Sequence, residues 1–238
     1  GRERPGERKF DCFVEAHIEQ GPILEAEGRT IGVVTRVQGL RWLKVTVTGM
    51  DGHAGTTPMD RRRDAMQGAA EMLLEINRIA READRWARLT NGRFEIEPNS
   101  GATIPGRVMF ICDLRHPEPD AIARLDAQMQ DAMRAIAKRR ELEIAIERVM
   151  EKPPVQFAPE IVDTVRAAAR DLGYDSIDML SGAGHDAMNV ARVAPAGMIF
   201  VPCKDGLSHN EAESAEPAHL AAGAQVLLQA LLARANRA

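Results

Sequence analysis

Four of the six histidines lie in short stretches rich in Gly, Pro or carboxylates, where an imidazole could bind a metal or carry a proton. The stretches are EAHIEQGP around His17, DGHAGTTP around His53, SGAGHDA around His185 and LSHNEAES around His209. His17 and His209 each follow an apolar run, which predicts a position at the C-terminal edge of a sheet. No HExxH spacing accompanies them, so spacing alone leaves both a metal site and hydrogen-bonded loop histidines open.

Other chemistries find less support in the sequence. No GxSxG segment is present, so a serine nucleophile on a sharp strand-to-helix turn is not indicated. Arg115 ends an apolar run, where its planar guanidinium could bind a carboxylate or could form a surface ion pair. Arg61, Arg62 and Arg63 are interpreted as the solvated face at the start of a helix.

Hydrophobic periodicity predicts alternating strands and helices. Residues 42–48 and 142–149 alternate between apolar and polar side chains, as half-buried strands do. The ranges 60–83 and 119–140 have helical spacing. With strands at 94–97 and 108–114, the order across 40–150 is β-α-β-β-α-β, the ferredoxin-like pattern. We therefore predict a partial α/β domain formed by residues 1–37 and 151–238, interrupted by a second domain at 38–150.

Composition excludes several function classes. Lys plus Arg is 31 and Asp plus Glu is 35, so the net charge of −4 disfavours a nucleic-acid partner. No apolar run approaches the ~20 residues that span a membrane. Three widely spaced cysteines indicate free thiols and a cytoplasmic location. The first methionine is Met50, which suggests a piece of a longer protein.

Five stretches together resemble one family. The chain is similar to the dinuclear-metal amidohydrolases of the aminoacylase/carboxypeptidase superfamily. The branch is that of hydantoinases and carbamoylases, which includes N-carbamoyl-L-amino-acid hydrolases, allantoate amidohydrolases and β-ureidopropionases. The stretches are HIEQGPILE (17–25), GMDGHAGTTPMDRRRDA (49–65), IPGRVMFICDLRHP (104–117), SGAGHDAMNVARVAP (181–195) and MIFVPCKDGLSHNEAE (198–213).

The resemblance implies a hydrolase of linear amide C–N bonds that uses two divalent metal ions, zinc above all, with manganese, nickel or cobalt as alternatives. It implies that His17 and His209 are metal ligands and that Gln20 contacts the ureido group of a small-molecule substrate. The loop that contains Gly206 and Ser208 would line the substrate pocket.

The same resemblance gives the 38–150 domain the roles of lid and homodimerisation surface. His53 would reach the partner subunit's site and stabilise the oxyanion of a tetrahedral intermediate. Arg115 would bind the substrate carboxylate. Ala102 stands where the family usually has an asparagine, so a substrate hydrogen bond is expected to be missing.

A second departure concerns the family's first-half residues. A histidine and a bridging aspartate in an HxDxV-like segment, and then two glutamates, are absent before His17. The chain therefore resembles the C-terminal part of such an enzyme, inactive by itself. Two alternatives remain open: a non-catalytic dimerisation and lid module, and an aminoacylase or aminopeptidase relative.

Overall fold

The structure, a computed structural model, describes residue 4 and residues 6–237, which form two compact units. The first unit contains the residues up to Gln38 and those from Val155 onward, and the second unit is Gly39–Pro154. The strands are β1 (Phe13–Ile18), β2 (Ile31–Val37), β3 (Gly39–Thr48), β4 (Gly52–His53), β5 (Arg88–Glu97), β6 (Thr103–Ile104), β7 (Arg107–His116), β8 (Glu143–Lys152), β9 (Val155–Gln156), β10 (Ser176–Ser181) and β11 (Ala196–Val201). The helices are α1 (Ile23–Ala26), α2 (Ala65–Ala83), α3 (Pro119–Arg139), α4 (Pro159–Asp171), α5 (Asp186–Val190) and α6 (Pro217–Ala235).

The first unit is built on a mixed sheet with the strand order β1-β11-β2-β10, in which β9 also pairs with β2. β1 runs parallel to β11, and β2 runs parallel to β10 and antiparallel to β11. Every residue of β11 is buried, because helices cover both of its faces. Gly197 and Val201 face α4 and α6, whereas Phe200 faces the His185 ring at the start of α5.

The second unit contains an antiparallel sheet with the order β5-β7-β3-β8 and the chain order β-α-β-β-α-β. Alternate residues of β3 and β7 point to one buried face, among them Val45 and Phe110. Met72 of α2 and Met133 of α3 pack in the same core. Because aromatic residues are scarce, methionine and aliphatic side chains fill most of this core. The mixed α/β class predicted from the sequence is confirmed.

The predicted helix start at residue 60 is wrong by five residues. α2 begins at Ala65, and Asp64 caps it by accepting a hydrogen bond from the Gln67 amide (3.0 Å). Met59–Arg61, at the start of the predicted helix, form a short 3-10 turn that is separate from α2. Aspartate competes for backbone donors and therefore favours the cap over the helix interior.

The prediction of a solvated arginine run is wrong for Arg62. Its guanidinium is half-buried and donates to the carbonyl oxygens of Ala54 (2.6 Å) and Thr57 (2.9 Å). Arg62 thereby closes the loop that follows His53.

The three cysteines of the chain, at positions 12, 112 and 203, are free thiols. Across the described residues, no helix has the length and apolarity that a membrane crossing requires.

Candidate functional site

His17 is the penultimate residue of β1, and its ring is oriented by the backbone. Nδ1 of His17 lies 2.8 Å from the carbonyl oxygen of Ile18. A carbonyl only accepts hydrogen bonds, so Nδ1 carries the hydrogen and the lone pair of a neutral His17 ring is on Nε2. A histidine that donates through one nitrogen and keeps a lone pair on the other is prepared to bind a metal.

The loop after β1 meets the loop after β11, because these two strands are parallel neighbours. Nε2 of Gln20 donates to Oγ of Ser208 (2.8 Å), across 188 residues of sequence. A Cβ on Gly206 would lie 2.7 Å from the nitrogen of Pro22, and Gly206 has φ of 64°. Only glycine fits such a close approach at positive φ without strain. The structure thus brings together Gln20, Gly206 and Ser208, the three substrate contacts predicted for the first unit.

His209 lies just beyond Ser208 and is exposed. Its φ is 55°, and its backbone N–H donates to the carboxylate of Glu213 (3.1 Å). In the part of the chain that the structure describes, one group of three metal-capable side chains is found, and His209 is not a member of it. The role of His209 as a metal ligand therefore stays a prediction.

That group consists of Glu15, His17 and His185, with one potential ligand atom of each lying within 4.8 Å of the others. Burial and the neighbouring His17 lower the pKa of His185 to about 4, so its ring is neutral near pH 7. Glu15 was missed by the sequence analysis. Its spacing of two residues from His17 on a strand, which puts both side chains on one face, was the available signal.

His53 ends β4 in the second unit, and its ring has the opposite hydrogen-bond arrangement. Nδ1 of His53 accepts from the backbone amides of Gly55 (3.0 Å) and Thr56 (3.3 Å). Nδ1 therefore lacks a hydrogen, and in the neutral ring Nε2 is the donor. The ring is exposed, and β4 pairs with β6 so that His53 is opposite Thr103. A ring N–H donor held in this orientation is of the kind that stabilises an oxyanion when water is excluded from around it.

Arg115 lies near the end of β7 and is half-buried. Its Nε and one terminal nitrogen donate to the two carboxylate oxygens of Asp113, at 2.8 and 2.7 Å. The hydrogen bonds that Arg115 donates to Asp113 raise the pKa of the Arg115 guanidinium. The two interpretations of Arg115, as a substrate-binding residue and as a member of an ion pair, therefore both stay open. The guanidinium binds the Asp113 carboxylate through two parallel hydrogen bonds, and a substrate carboxylate would have to share the guanidinium with Asp113 or replace Asp113.

Comparison with known proteins identifies the family. The sequence model of peptidase family M20/M25/M40 matches residues 3–233. An N-carbamoyl-L-amino-acid amidohydrolase of Rhizobium meliloti is 45% identical over 236 residues, which cover 99% of this chain and 57% of that protein. An allantoate amidohydrolase of Escherichia coli (strain K12) is 37% identical over 216 residues, covering 91% of this chain and 53% of that protein. The chain therefore spans about half the length of these relatives.

A solved structure shows the same architecture. The amidase of the hydantoinase/carbamoylase family from Burkholderia multivorans superposes with a TM-score of 0.93 at 50% identity, over 98% of this chain and 56% of that one. The resemblance inferred from the five sequence stretches is confirmed. The chain belongs to peptidase family M20/M25/M40, with hydantoinase/carbamoylase amidases as structural neighbours.

Proposed function

We propose that this chain is part of a metal-dependent amidohydrolase that cleaves the linear C–N amide bond of N-carbamoyl-L-amino acids or of allantoate-like ureides. The relatives named for these two activities support the substrate class. The observation that carries the proposal is the orientation of His17, whose Nδ1 is bound to a backbone carbonyl and whose Nε2 is left with a lone pair. In an M20-family chain, that ring is prepared for a divalent cation.

The two histidines fit a borderline divalent cation such as zinc, because imidazole nitrogen suits such ions. We assign His17 and His209 as ligands, each contributing to one of two cations. When bound, the cations would supply Lewis-acid polarisation of the scissile carbonyl. Two histidines do not complete two coordination spheres and leave no assigned general base, so we expect the 238 residues to release no ammonia by themselves.

Gln20 and Ser208 would hold the ureido group. Gln20 donates to Ser208, and its amide oxygen can accept from a ureido N–H. Gly206, having no side chain, lets substrate approach the backbone closely. Arg115 would bind the substrate carboxylate in place of Asp113. His53 would donate its Nε2–H to the developing oxyanion in the site of a partner subunit.

The function is tested by replacing the matching 57% of the Rhizobium meliloti relative with this chain. The chimaera, loaded with zinc or manganese, is expected to release ammonia from an N-carbamoyl-L-amino acid or from allantoate. A His53→Ala chimaera should lose activity and keep its metal content. A folded, metal-loaded chimaera that is inert on both substrates would contradict the proposal, and ammonia release by the 238 residues alone would contradict the expected need for further residues.

We further propose that the second unit forms a homodimer through the side that carries β5 and α2. β5 is the terminal strand of its sheet, so its outer edge offers backbone groups for pairing. Leu74 of α2 is 75% exposed, and a cleft lined by Leu73, Leu74, Asn77 and Asn91 joins α2 to β5. An exposed leucine beside an open strand edge gives this side both an apolar side chain and free backbone groups for a second copy to cover.

Leu74→Glu is expected to weaken dimerisation about tenfold or more, because it replaces an apolar side chain at the interface with a charged one that must lose its water. Sedimentation equilibrium measures the dissociation constant. Val149→Glu is the matched control, since Val149 is 48% exposed on β8, the strand at the opposite edge of the same sheet. A dimer that survives Leu74→Glu and dissociates with Val149→Glu would assign the interface to β8 instead.

We propose a cytoplasmic location. It is supported by the free thiols of Cys12, Cys112 and Cys203, since a reducing compartment keeps thiols unpaired.

A further inference from the structure

A second histidine, buried and unassigned, packs against His17. The ring centroids of His17 and His185 are 4.7 Å apart, and the ring planes are inclined by 69°. This edge-to-face contact limits rotation of the His17 ring about its side-chain bonds. The hydrogen bond from Nδ1 to Ile18 fixes one edge of the His17 ring, and the His185 contact fixes its plane.

His185 is itself held on two sides. Its Nε2 lies 2.7 Å from Oγ of Ser181, the last residue of β10. Its ring also meets the ring of Phe200 at 5.5 Å, and Phe200 is the β11 residue paired with His17 in the sheet. The His185 ring therefore lies between the end of β10 and the C-terminal end of the β1–β11 pair.

Glu15 joins the same network from β1. One carboxylate oxygen accepts the backbone N–H of Ala187 (2.7 Å), which ties the first turn of α5 to β1. The other oxygen lies 3.8 Å from Nδ1 of His185. Ser181 has a single hydroxyl hydrogen, and its Oγ also lies 3.0 Å from the carbonyl oxygen of Ala183, so these contacts fix the position of the His185 ring without fixing its tautomer.

We propose that His185 is a positioning residue for His17, with Ser181 and Glu15 holding the His185 ring in place. The proposal rests on the proposed function, in which His17 binds a metal through Nε2. Glu15 and His185 are not themselves assigned as ligands, because one oxygen of Glu15 and Nε2 of His185 are already engaged in hydrogen bonds. Removing a group that orients a metal ligand typically lowers the metal affinity by roughly 10- to 100-fold.

The test compares the unchanged protein with its His185→Ala and Ser181→Ala variants. Zinc affinity is measured by titration calorimetry in the chimaera, which adds the coordination that two histidines leave incomplete, and the ring nitrogens of His17 are followed by 15N NMR in the metal-free 238-residue chain. His185→Ala is expected to weaken zinc binding about tenfold and to move the two His17 nitrogen shifts toward the average of both tautomers. Ser181→Ala should act in the same direction with a smaller effect.

His116→Ala is the matched control, because His116 is also buried but lies in the second unit, where it is hydrogen-bonded to Asp84. It should change neither readout. If the 15N chemical shifts of His17 are unaltered in His185→Ala, the positioning role is wrong. It is also wrong if His185→Ala loses zinc as completely as His17→Ala does, because His185 would then be a metal ligand. If His17→Ala leaves zinc binding unchanged, the proposed function fails, and the NMR comparison still decides whether His185 positions the ring.

Discussion

Replacing His17 with alanine is expected to lower the affinity of the chimaera for zinc about a hundredfold and to abolish its release of ammonia. The effect is larger than that of any residue that only orients a ligand, because a metal–nitrogen bond is removed. The His17 ring is already held by Ile18 before a metal arrives, so little ordering entropy opposes binding in the unchanged chain. Alanine removes both the donor atom and this preorganisation.

Equilibrium dialysis with zinc measures the affinity, and circular dichroism establishes that the variant is folded. His219→Ala serves as control, because His219 lies in the first turn of α6 and outside the group formed by Glu15, His17 and His185. The control should retain the zinc affinity of the unchanged chimaera. An equal loss of zinc affinity in both variants would indicate that zinc binds nonspecifically to histidine side chains. An unchanged zinc affinity in His17→Ala would mean that His17 is not a ligand.

Hydrophobic periodicity predicted most of the strands and helices, because the spacing of apolar residues along the chain marks which face of each is buried. The alternation in residues 42–48 corresponds to β3, and the strand predicted at 108–114 lies within β7. The beginning of α2 was missed because a capping interaction, that of Asp64 with Gln67, decides it. The role of Arg62 was missed because its partners, carbonyl oxygens in a loop, leave no trace in side-chain type.

The candidate site could be predicted only in part, since its contacts join distant segments. The Gln20–Ser208 hydrogen bond spans 188 residues, and the bond from Ala187 to Glu15 spans 172. Family resemblance named Gln20 and Ser208 as substrate contacts, but no pattern indicates that they bond to each other. The tautomers of His17 and His53 depend on backbone carbonyl and amide groups, whose positions the sequence does not reveal.

The loop that presents His53 depends on a glycine at its start. A Cβ on Gly49 would lie 1.9 Å from the carbonyl oxygen of Arg63, far inside van der Waals contact. That same carbonyl accepts the N–H of Met50 (2.9 Å), and the N–H of Gly49 donates to Gly106 (2.8 Å). Three backbone segments therefore meet at Gly49. A backbone segment cannot move aside for an added Cβ as the end of a flexible side chain can.

Gly49→Ala is consequently expected to cost about 3 kcal/mol in the free energy of unfolding, because the added methyl group must displace backbone. Urea denaturation followed by circular dichroism measures the loss. Gly92→Ala is the control: Gly92 lies in β5, and a Cβ there meets no atom within 4 Å, so stability should stay nearly unchanged.

The same displacement should reach His53, four residues along, whose ring is oriented by the amides of Gly55 and Thr56. The Gly49→Ala chimaera is thus expected to lose ammonia release even at temperatures where it remains folded, whereas its zinc content stays unchanged because His17 lies in the other unit. Loss of zinc together with activity would show that the two units are coupled through this loop, and full activity in the folded variant would mean that the orientation of His53 does not depend on Gly49.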